Sequence, residues 1–218
     1  MAEIYDNIQA IRRELPEGVT LVAVTKYHDD AETQAVVDAG VLDLGENKVQ
    51  DLLHKMDVIQ GPVRWHLIGH LQTNKVKYLM GRVALIHSVD SVKLLEKIEQ
   101  ESIKHDVTTE VLLQFNLAEE ATKSGFLAKD WRLPLEVAQS LTHTKVRGLM
   151  CMGPMTKNTA EIRKIFKQLK EIYDTIEREY HCESIQMQHL SMGMTDDYPI
   201  AVEEGATMVR IGRKIFRR

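Results

Sequence analysis

The stretch that decides the fold is LVAVTKYHD, residues 21–29, in which four apolar residues run directly into Thr25 and Lys26. A short, wholly apolar run is typical of a strand that is buried on both faces, as the strands of parallel sheets are. Alternate residues of a strand point to the same side, so Val22, Val24 and Lys26 share one face. The stretch therefore predicts a central strand that ends in a lysine amine.

Similar β-rich runs recur along the chain, with helical segments between them. Strands that alternate with helices predict right-handed βαβ units and hence a parallel sheet. Eight such runs within about 190 residues favour a single (β/α)8 TIM-type barrel. An open doubly wound sheet remains the alternative, because periodicity does not separate the two architectures. The later runs are VLDLGEN from Val41, RWHLIGH from Arg64, ALIHSVD from Ala84, EVLLQFN from Glu110, VRGLMCM from Val146, SIQMQHLSMG from Ser184 and TMVRIG from Thr207.

The sequence also predicts one helix ahead of the barrel. Before Pro16 and Gly18, apolar residues recur at helical spacing, and these are Ile4, Ile8, Ile11 and Leu15. No linker, low-complexity tract or change of composition interrupts the 218 residues. We therefore expect a single domain, residues 1–218, made of the barrel and this extra N-terminal helix.

Composition narrows the function. The 28 Lys and Arg residues nearly balance the 32 Asp and Glu residues, which gives no electrostatic reason to bind nucleic acid or an anionic membrane. Two cysteines, Cys151 and Cys182, show no metal-ligand spacing, and lone thiols are typical of a reducing compartment. No apolar run approaches membrane-spanning length, and the N-terminus lacks a signal-peptide pattern. We therefore expect a soluble, cytoplasmic protein without a metal.

Several strands end in polar residues that share the face of Lys26. In barrels of this type, the functional site lies at the C-terminal ends of the strands. The alternation of side chains places four further residues at this barrel mouth: Asn47, His66, Asn116 and Arg210. The amine of a lysine is a nucleophile that can form an imine with an aldehyde. The pattern predicts a site for a ligand that carries an aldehyde.

The end of the chain supplies the features of a phosphate site. Phosphate groups in these barrels often bind the loops after strands seven and eight, at a helix N-terminus. Thr195 is expected as the N-cap of a short helix after strand seven, with Gly205 as its stop. Hydroxyl groups, free backbone N–H groups and glycines permit close contact with a phosphate. The residues predicted to form this cradle are Ser191, Met192, Gly193, Thr195, Arg210 and Gly212.

A lysine amine and a phosphate cradle at one mouth imply a ligand with both an aldehyde and a phosphate. Pyridoxal 5′-phosphate (PLP) meets both demands. Sugar phosphates that form imines in aldolase-like barrels meet them too, and the residues alone leave this alternative open. A barrel that binds phosphates without any covalent bond is a third interpretation.

Seven motifs span nearly the whole chain: AVTKYH, LGENKVQ, WHLIGHLQTNK, NLAEEATKSGF, RGLMCM, LSMGMTDD and VRIGRKIF. Together they resemble the pyridoxal phosphate homeostasis protein family, which is related to the N-terminal barrel of alanine racemase. The resemblance implies that Lys26 holds PLP as an imine, with Asn47 and His66 in the pocket. It also implies phosphate contacts from Ser191, Thr195, the backbone near Met192 and Gly193, and the end from Arg210 to Gly212.

The resemblance implies a role in PLP homeostasis, in which the cofactor is stored, protected and delivered to PLP-dependent acceptor enzymes. Racemisation needs acid–base groups on both faces of the substrate, and in alanine racemase the second base is a tyrosine from a C-terminal domain. The sequence runs no further than the eighth strand, so we expect no catalytic residues and no turnover. The alternative is a small PLP-dependent amino-acid racemase that uses His66, His70 or Tyr27. A closed barrel has no open edge, so we expect a monomer.

Overall fold

The computed structural model describes residues 2–120 and 122–217, so that Met1, Ala121 and Arg218 of the predicted domain lie outside it. Its eight strands are parallel and close in chain order into a barrel, in which the last strand pairs with the first. A closed ring excludes the open doubly wound sheet, and the predicted TIM-type barrel is confirmed. The strands are β1 (Thr20–Val24), β2 (Asp43–Glu46), β3 (Arg64–Leu67), β4 (Leu85–Val89), β5 (Thr109–Phe115), β6 (Thr144–Cys151), β7 (Ile185–Ser191) and β8 (Met208–Ile211).

Helices cover the outside of the barrel and connect consecutive strands. The predicted N-terminal helix is confirmed as α1 (Ala2–Glu14), which buries its three isoleucines. The connection after β3 is a 3-10 helix, Thr73–Tyr78, and a 3-10 turn, Ala128–Asp130, precedes the helix after β5. The other α-helices are α2 (Asp30–Asp38), α3 (Val49–Val58), α4 (Val92–His105), α5 (Leu133–Ala138), α6 (Thr159–Glu179) and α7 (Tyr198–Glu203).

Apolar residues form a cluster between the barrel and the helices and a smaller one inside the barrel. The outer cluster includes the buried stripe of α6, which runs from Ile162 to Ile176. The inner cluster consists of Val22, Leu85, Leu112, Met150 and Met208, one side chain from each of five strands. On β1, Val22 belongs to the inner cluster and Ala23 to the outer one, which confirms the alternation predicted for this strand.

The predicted cap of the helix after β7 is wrong. Thr195 does not cap it, because α7 begins at Tyr198 and is preceded by Asp197. The carboxylate of Asp197 accepts a hydrogen bond of 2.6 Å from the backbone N–H of Met194, and this bond closes a turn ahead of the helix. A proline in the first turn also favours the later start. The predicted stop is confirmed, since Gly205 follows the helix with a φ of +95°.

Within residues 2–120 and 122–217, no helix is both long and apolar enough to cross a bilayer. In the same part of the chain, no three His, Cys, Asp or Glu side chains come together as metal ligands would. Both cysteines are free thiols. Burial raises the pKa of Cys151 to about 12, so this thiol stays protonated and unreactive near neutral pH.

Candidate functional site at the barrel mouth

Because the strands of the barrel are parallel, the residues that follow them meet at one end, the barrel mouth. Four predicted site residues lie there and are partly exposed: Lys26 after β1, Asn47 after β2, Thr195 after β7 and Gly212 after β8. The pairing of β1 with β8 brings Gly212 against Val24, two residues before Lys26. These four residues are accessible to a ligand at the mouth.

Lys26 occupies a tight turn at the end of β1. The backbone N–H of His28 donates to the carbonyl of Thr25 across 3.1 Å, which leaves Lys26 and Tyr27 as the central residues. Tyr27 has a φ of +69°, a left-handed conformation. For a residue with a side chain, that conformation costs about 1–2 kcal/mol. Tyr27 is 87% exposed, so packing of its ring does not offset this cost. Strained turns of this kind occur at functional sites, where surrounding contacts hold them.

A buried ion pair fastens this turn from outside the barrel. Lys55 Nζ of α3 donates to the carbonyl oxygen of Thr25 and to Oε1 of Glu46, both at 2.7 Å. The Thr25 hydroxyl donates to the same carboxylate oxygen at 2.6 Å. We call these three buried residues, Thr25, Glu46 and Lys55, the Thr25 clamp. Buried charges need such hydrogen bonds, and two of the bonds here are made by Thr25, the residue before Lys26.

Free backbone N–H groups lie in the loops after β7 and β8. Within the described part of the chain, the N–H groups of Thr195, Asp196, Gly212 and Arg213 have no hydrogen-bond acceptor. Unpaired backbone donors of successive residues are suited to bind anions such as phosphate. A Cβ at Gly212 would lie 3.0 Å from the carbonyl oxygen of Val24, so a side chain would disturb the seam between β8 and β1. The two loops therefore fit a phosphate group.

The other five predicted site residues are buried, and these are His66, Ser191, Met192, Gly193 and Arg210. Ser191 is the last residue of β7 itself, so its side chain enters the barrel instead of the loop above it. Arg210 Nη1 donates to Ser191 Oγ at 2.6 Å, and Nη2 donates to the carbonyl of Cys151 at 2.9 Å. These contacts hold the guanidinium between β6 and β7. The buried residues thus support the mouth from below.

A chain of hydrogen bonds crosses the barrel interior from Asp43 to Arg210. His66 Nε2 lies 3.0 Å from Asp43 Oδ1, and His66 Nδ1 lies 2.8 Å from His87 Nε2. His87 Nδ1 in turn lies 2.9 Å from Ser191 Oγ, which accepts the bond from Arg210. His66 therefore contacts Asp43 and His87 in this hydrogen-bond chain, and both of its ring nitrogens are hydrogen-bonded.

Burial and charge set the protonation of this chain. Burial raises the pKa of Asp43, but the hydrogen bonds from His66 and Arg64 outweigh it and lower that pKa to about 2. Burial lowers the pKa of His87 well below its ordinary value, and the positive charge of Arg210 lowers it further. Near neutral pH, Asp43 is therefore an ionised acceptor and His87 is a neutral imidazole.

Asn116, which was predicted to point to the mouth, instead braces the loop after β5. Its Nδ2 donates to the backbone carbonyls of Glu120 and Lys123, each at 2.8 Å. Lys123 Nζ donates in turn to the carbonyl of Gly153 at 2.9 Å. The amide of Asn116 is thus occupied by its own loop.

Sequence reasoning missed four residues that support the site, and these are Asp43, Glu46, Lys55 and His87. Lys55 follows Val49 and Leu52 at helical spacing on the buried face of α3, where a lysine needs a partner. His87 follows Leu85 by two residues on β4 and so shares its inward face. A charged or polar residue at a position that the pattern marks as buried was the available signal.

The chain matches known proteins over nearly its whole length. A family model described as the alanine racemase N-terminal domain matches residues 1–217. A pyridoxal phosphate homeostasis protein of Aquifex aeolicus is 41% identical over 180 residues, which are 82% of this chain and 78% of the relative. The structure of PipY from Synechococcus elongatus with PLP bound has a TM-score of 0.90 and 32% identity. That match covers 98% of this chain and 99% of PipY.

A more distant structural match extends to alanine racemase itself. The enzyme from Clostridium difficile has a TM-score of 0.80 at 14% identity, and the match covers 99% of this chain but 56% of that protein. This likeness concerns the fold alone. The closer matches confirm the resemblance that the sequence motifs predicted.

Proposed function

Because the chain belongs to the pyridoxal phosphate homeostasis protein family, we propose that its barrel mouth binds pyridoxal 5′-phosphate. The observation that supports this proposal is that the turn of Lys26 and two unpaired backbone N–H groups lie along one seam of the barrel. β1 pairs with β8, so the turn that contains Lys26 stands beside the loop that contains Gly212 and Arg213. Among the described residues, Lys26 has no hydrogen bond or ion pair, and its Nζ lies 5.7 Å from the centroid of the exposed Tyr27 ring, so the amine is available.

Lys26 holds the ligand through a reversible covalent bond. Its neutral amine adds to the aldehyde carbon, a C=N bond forms, and the carbonyl oxygen leaves as water. Addition of water reverses these steps and releases the ligand unchanged, which suits storage and delivery. The ligand supplies the aldehyde and a ring that can act as an electron sink. The Thr25 clamp fixes the turn from which the Lys26 side chain extends.

The loops after β7 and β8 bind the phosphate. Their four unpaired N–H groups donate to it, and the hydroxyl of Thr195 adds another donor. Asn47, which is partly exposed, lines the mouth beside Lys26. Arg210 supplies a buried positive charge below the loops, and this charge attracts a phosphate dianion. Ser191 and the two residues that follow it in the sequence support these loops from beneath.

The proposed role is storage, protection and delivery of the cofactor to PLP-dependent enzymes, without turnover. The candidates for a second racemase base have unsuitable surroundings. His66 is buried, with both ring nitrogens hydrogen-bonded. Tyr27 lies in solvent, and His70 Nδ1 lies 3.0 Å from a carboxylate oxygen of Asp90. Free thiols suit the reducing cytoplasm, and we place the role there.

Visible absorbance of three purified proteins tests this function. After incubation with PLP and removal of the excess, wild type and Lys48→Ala should show the absorbance of an imine, whereas Lys26→Ala should not. Lys48 is the matched control, because it is an exposed lysine beside Asn47. A wild-type protein without this absorbance would contradict the proposal.

The same loaded protein distinguishes a carrier from a racemase. Incubation with single L-amino acids should produce no D-isomer, because the three candidate bases among the described residues, His66, His70 and Tyr27, have unsuitable surroundings. Chiral chromatography of the amino acids measures the outcome. D-isomer formation that Lys26→Ala abolishes would establish the racemase alternative.

A further inference from the structure

The hydrogen-bond chain inside the barrel has a fixed direction. A guanidinium only donates hydrogen bonds and an ionised carboxylate only accepts them, so Arg210 and Asp43 define the two ends. His66 must donate through Nε2 to Asp43, and as a neutral ring it accepts through Nδ1 from His87. The Nδ1 of a neutral His87 then needs a donor, and the hydroxyl of Ser191 provides it. All links are satisfied when both imidazoles carry their proton on Nε2.

The opposite direction leaves one group without its partner. A cationic His66 would donate to His87, which would then have to donate to Ser191 Oγ from its own Nδ1. The Ser191 oxygen already accepts from Arg210, and its hydroxyl proton would lose the acceptor that His87 supplies. A buried donor without an acceptor is destabilising, so the first direction is favoured.

We propose that Asp43, His66 and His87 are positioning residues for the phosphate-binding mouth, an inference that rests on the proposed function. The chain commits the hydroxyl proton of Ser191 to His87 and leaves the oxygen lone pairs of Ser191 for Arg210. Arg210 is then held in one orientation, with its charge below the loops after β7 and β8. The three residues do not touch the ligand, and they set how tightly a phosphate monoester is held.

The Asp43 end of the hydrogen-bond chain lies at the opposite end of the barrel from the mouth. Asp43 begins β2 and pairs with Arg64, which begins β3. Both residues line a groove of about 430 Å³ that also includes Thr20 at the start of β1. The chain therefore connects the N-terminal ends of the strands with the buried arginine near their C-terminal ends.

Nitrogen-15 NMR of the free protein, labelled at histidine, tests the chain without any ligand. His66 and His87 should both be neutral imidazoles whose proton resides on Nε2. A cationic His66, or a proton on Nδ1 alone in either ring, would overturn the inference. Because no ligand is involved, this result does not depend on whether PLP binds.

Affinity for pyridoxine 5′-phosphate tests the effect on the mouth, since this compound has an alcohol in place of the aldehyde and forms no imine. His87→Leu removes the acceptor for Ser191 and should weaken binding about tenfold. His87→Asn should recover most of the affinity, because its amide oxygen can replace Nδ1. His181→Gln is the control and should bind like wild type, because His181 is an exposed histidine ahead of β7 that makes no contact with the hydrogen-bond chain.

Three results would overturn the positioning role. They are equal affinity of His87→Leu and wild type, a loss of the same size in His181→Gln, and no recovery in His87→Asn. The histidine spectra of wild type decide the direction of the chain even where His87→Leu does not fold. Wild-type protein that binds neither PLP nor pyridoxine 5′-phosphate would contradict the proposed function, while the spectra would still test the chain.

Discussion

Two buried polar clusters support the barrel mouth, and they are built differently. The Thr25 clamp lies outside β1 and contains an ion pair in which Lys55 Nζ is 2.7 Å from Glu46 Oε1. The chain from Asp43 to Arg210 lies inside the barrel and separates its two charges by neutral groups. Within residues 2–120 and 122–217, Oε2 of Glu46 has no hydrogen-bond partner, whereas the chain uses both nitrogens of both imidazoles.

This difference indicates what each cluster controls. Removing one charge of the clamp leaves the other buried and unpaired, which is strongly destabilising. Breaking a link between neutral groups of the chain leaves smaller unsatisfied dipoles. The clamp holds the backbone of the turn before Lys26, and the chain holds the side chain of Arg210. We therefore expect the clamp to dominate stability and the chain to act mainly on ligand affinity.

Breaking the clamp has the largest expected effect on stability. Lys55→Met leaves the Glu46 carboxylate buried without its ammonium, so the free energy of unfolding should fall by about 3–5 kcal/mol. Combining Lys55→Met with Glu46→Leu replaces both charges by apolar groups and should recover most of this loss. Urea unfolding of wild type and the two variants measures the difference. A single variant as stable as wild type would show that the ion pair does not hold the turn.

Acid pH should lower the free energy of unfolding through Asp43, by less than the loss of the Thr25 clamp does. Although burial raises the pKa of Asp43, the bonds from His66 and Arg64 lower it from 3.8 to about 2. A carboxyl group with a lowered pKa stabilises the fold above its unfolded pKa, and this stabilisation disappears as the pH falls from about 4 to about 2. The expected loss is about 2 kcal/mol.

The comparison with Asp43→Asn isolates this contribution from those of other carboxyl groups. The free energy of unfolding, measured by urea at several pH values, should fall more steeply for wild type than for the variant between about pH 4 and about pH 2. Parallel curves for the two proteins would show that Asp43 does not have a lowered pKa in the folded state.

Relieving the backbone strain at Tyr27 has the smallest expected effect on the free energy of unfolding. Tyr27→Gly removes the cost of a left-handed tyrosine, and the free energy of unfolding should rise by about 0.5–1 kcal/mol after the entropy cost of glycine. Tyr27→Ala keeps a Cβ at the same φ and should show no such gain. Thermal unfolding of both variants measures the effect. A destabilised Tyr27→Gly would mean that the contact of the Tyr27 ring with Lys26 Nζ, 5.7 Å from the ring centroid, stabilises the turn by more than its strain costs.

The barrel and part of its mouth could be predicted from the sequence, because both follow from short-range patterns. The apolar run at residues 21–24 and its seven counterparts specify parallel strands, and side-chain alternation places Lys26 at a strand end. The helix after β7 was placed too early, since the turn between Met194 and Asp197 depends on a side-chain contact. Its start is fixed by three-dimensional geometry that periodicity does not contain.

The buried hydrogen-bond chain from Asp43 to Arg210 could not be predicted, because its contacts join residues that are far apart in sequence. His66 and His87 are 21 positions apart, and His87 and Ser191 are 104 positions apart. Strand boundaries matter as well. Ser191 belongs to β7 and points into the barrel, whereas a strand that ended one residue earlier would place it in the loop after β7.

The proposed function depends on a covalent bond between the amine of Lys26 and PLP at the barrel mouth. Borohydride reduction of the PLP-loaded protein makes the bond permanent, and mass spectrometry of its peptides then identifies the modified residue. We predict modification at Lys26, and none in Lys26→Ala. Modification of a different lysine, or recovery of unmodified Lys26 from protein that retains PLP, would contradict the account.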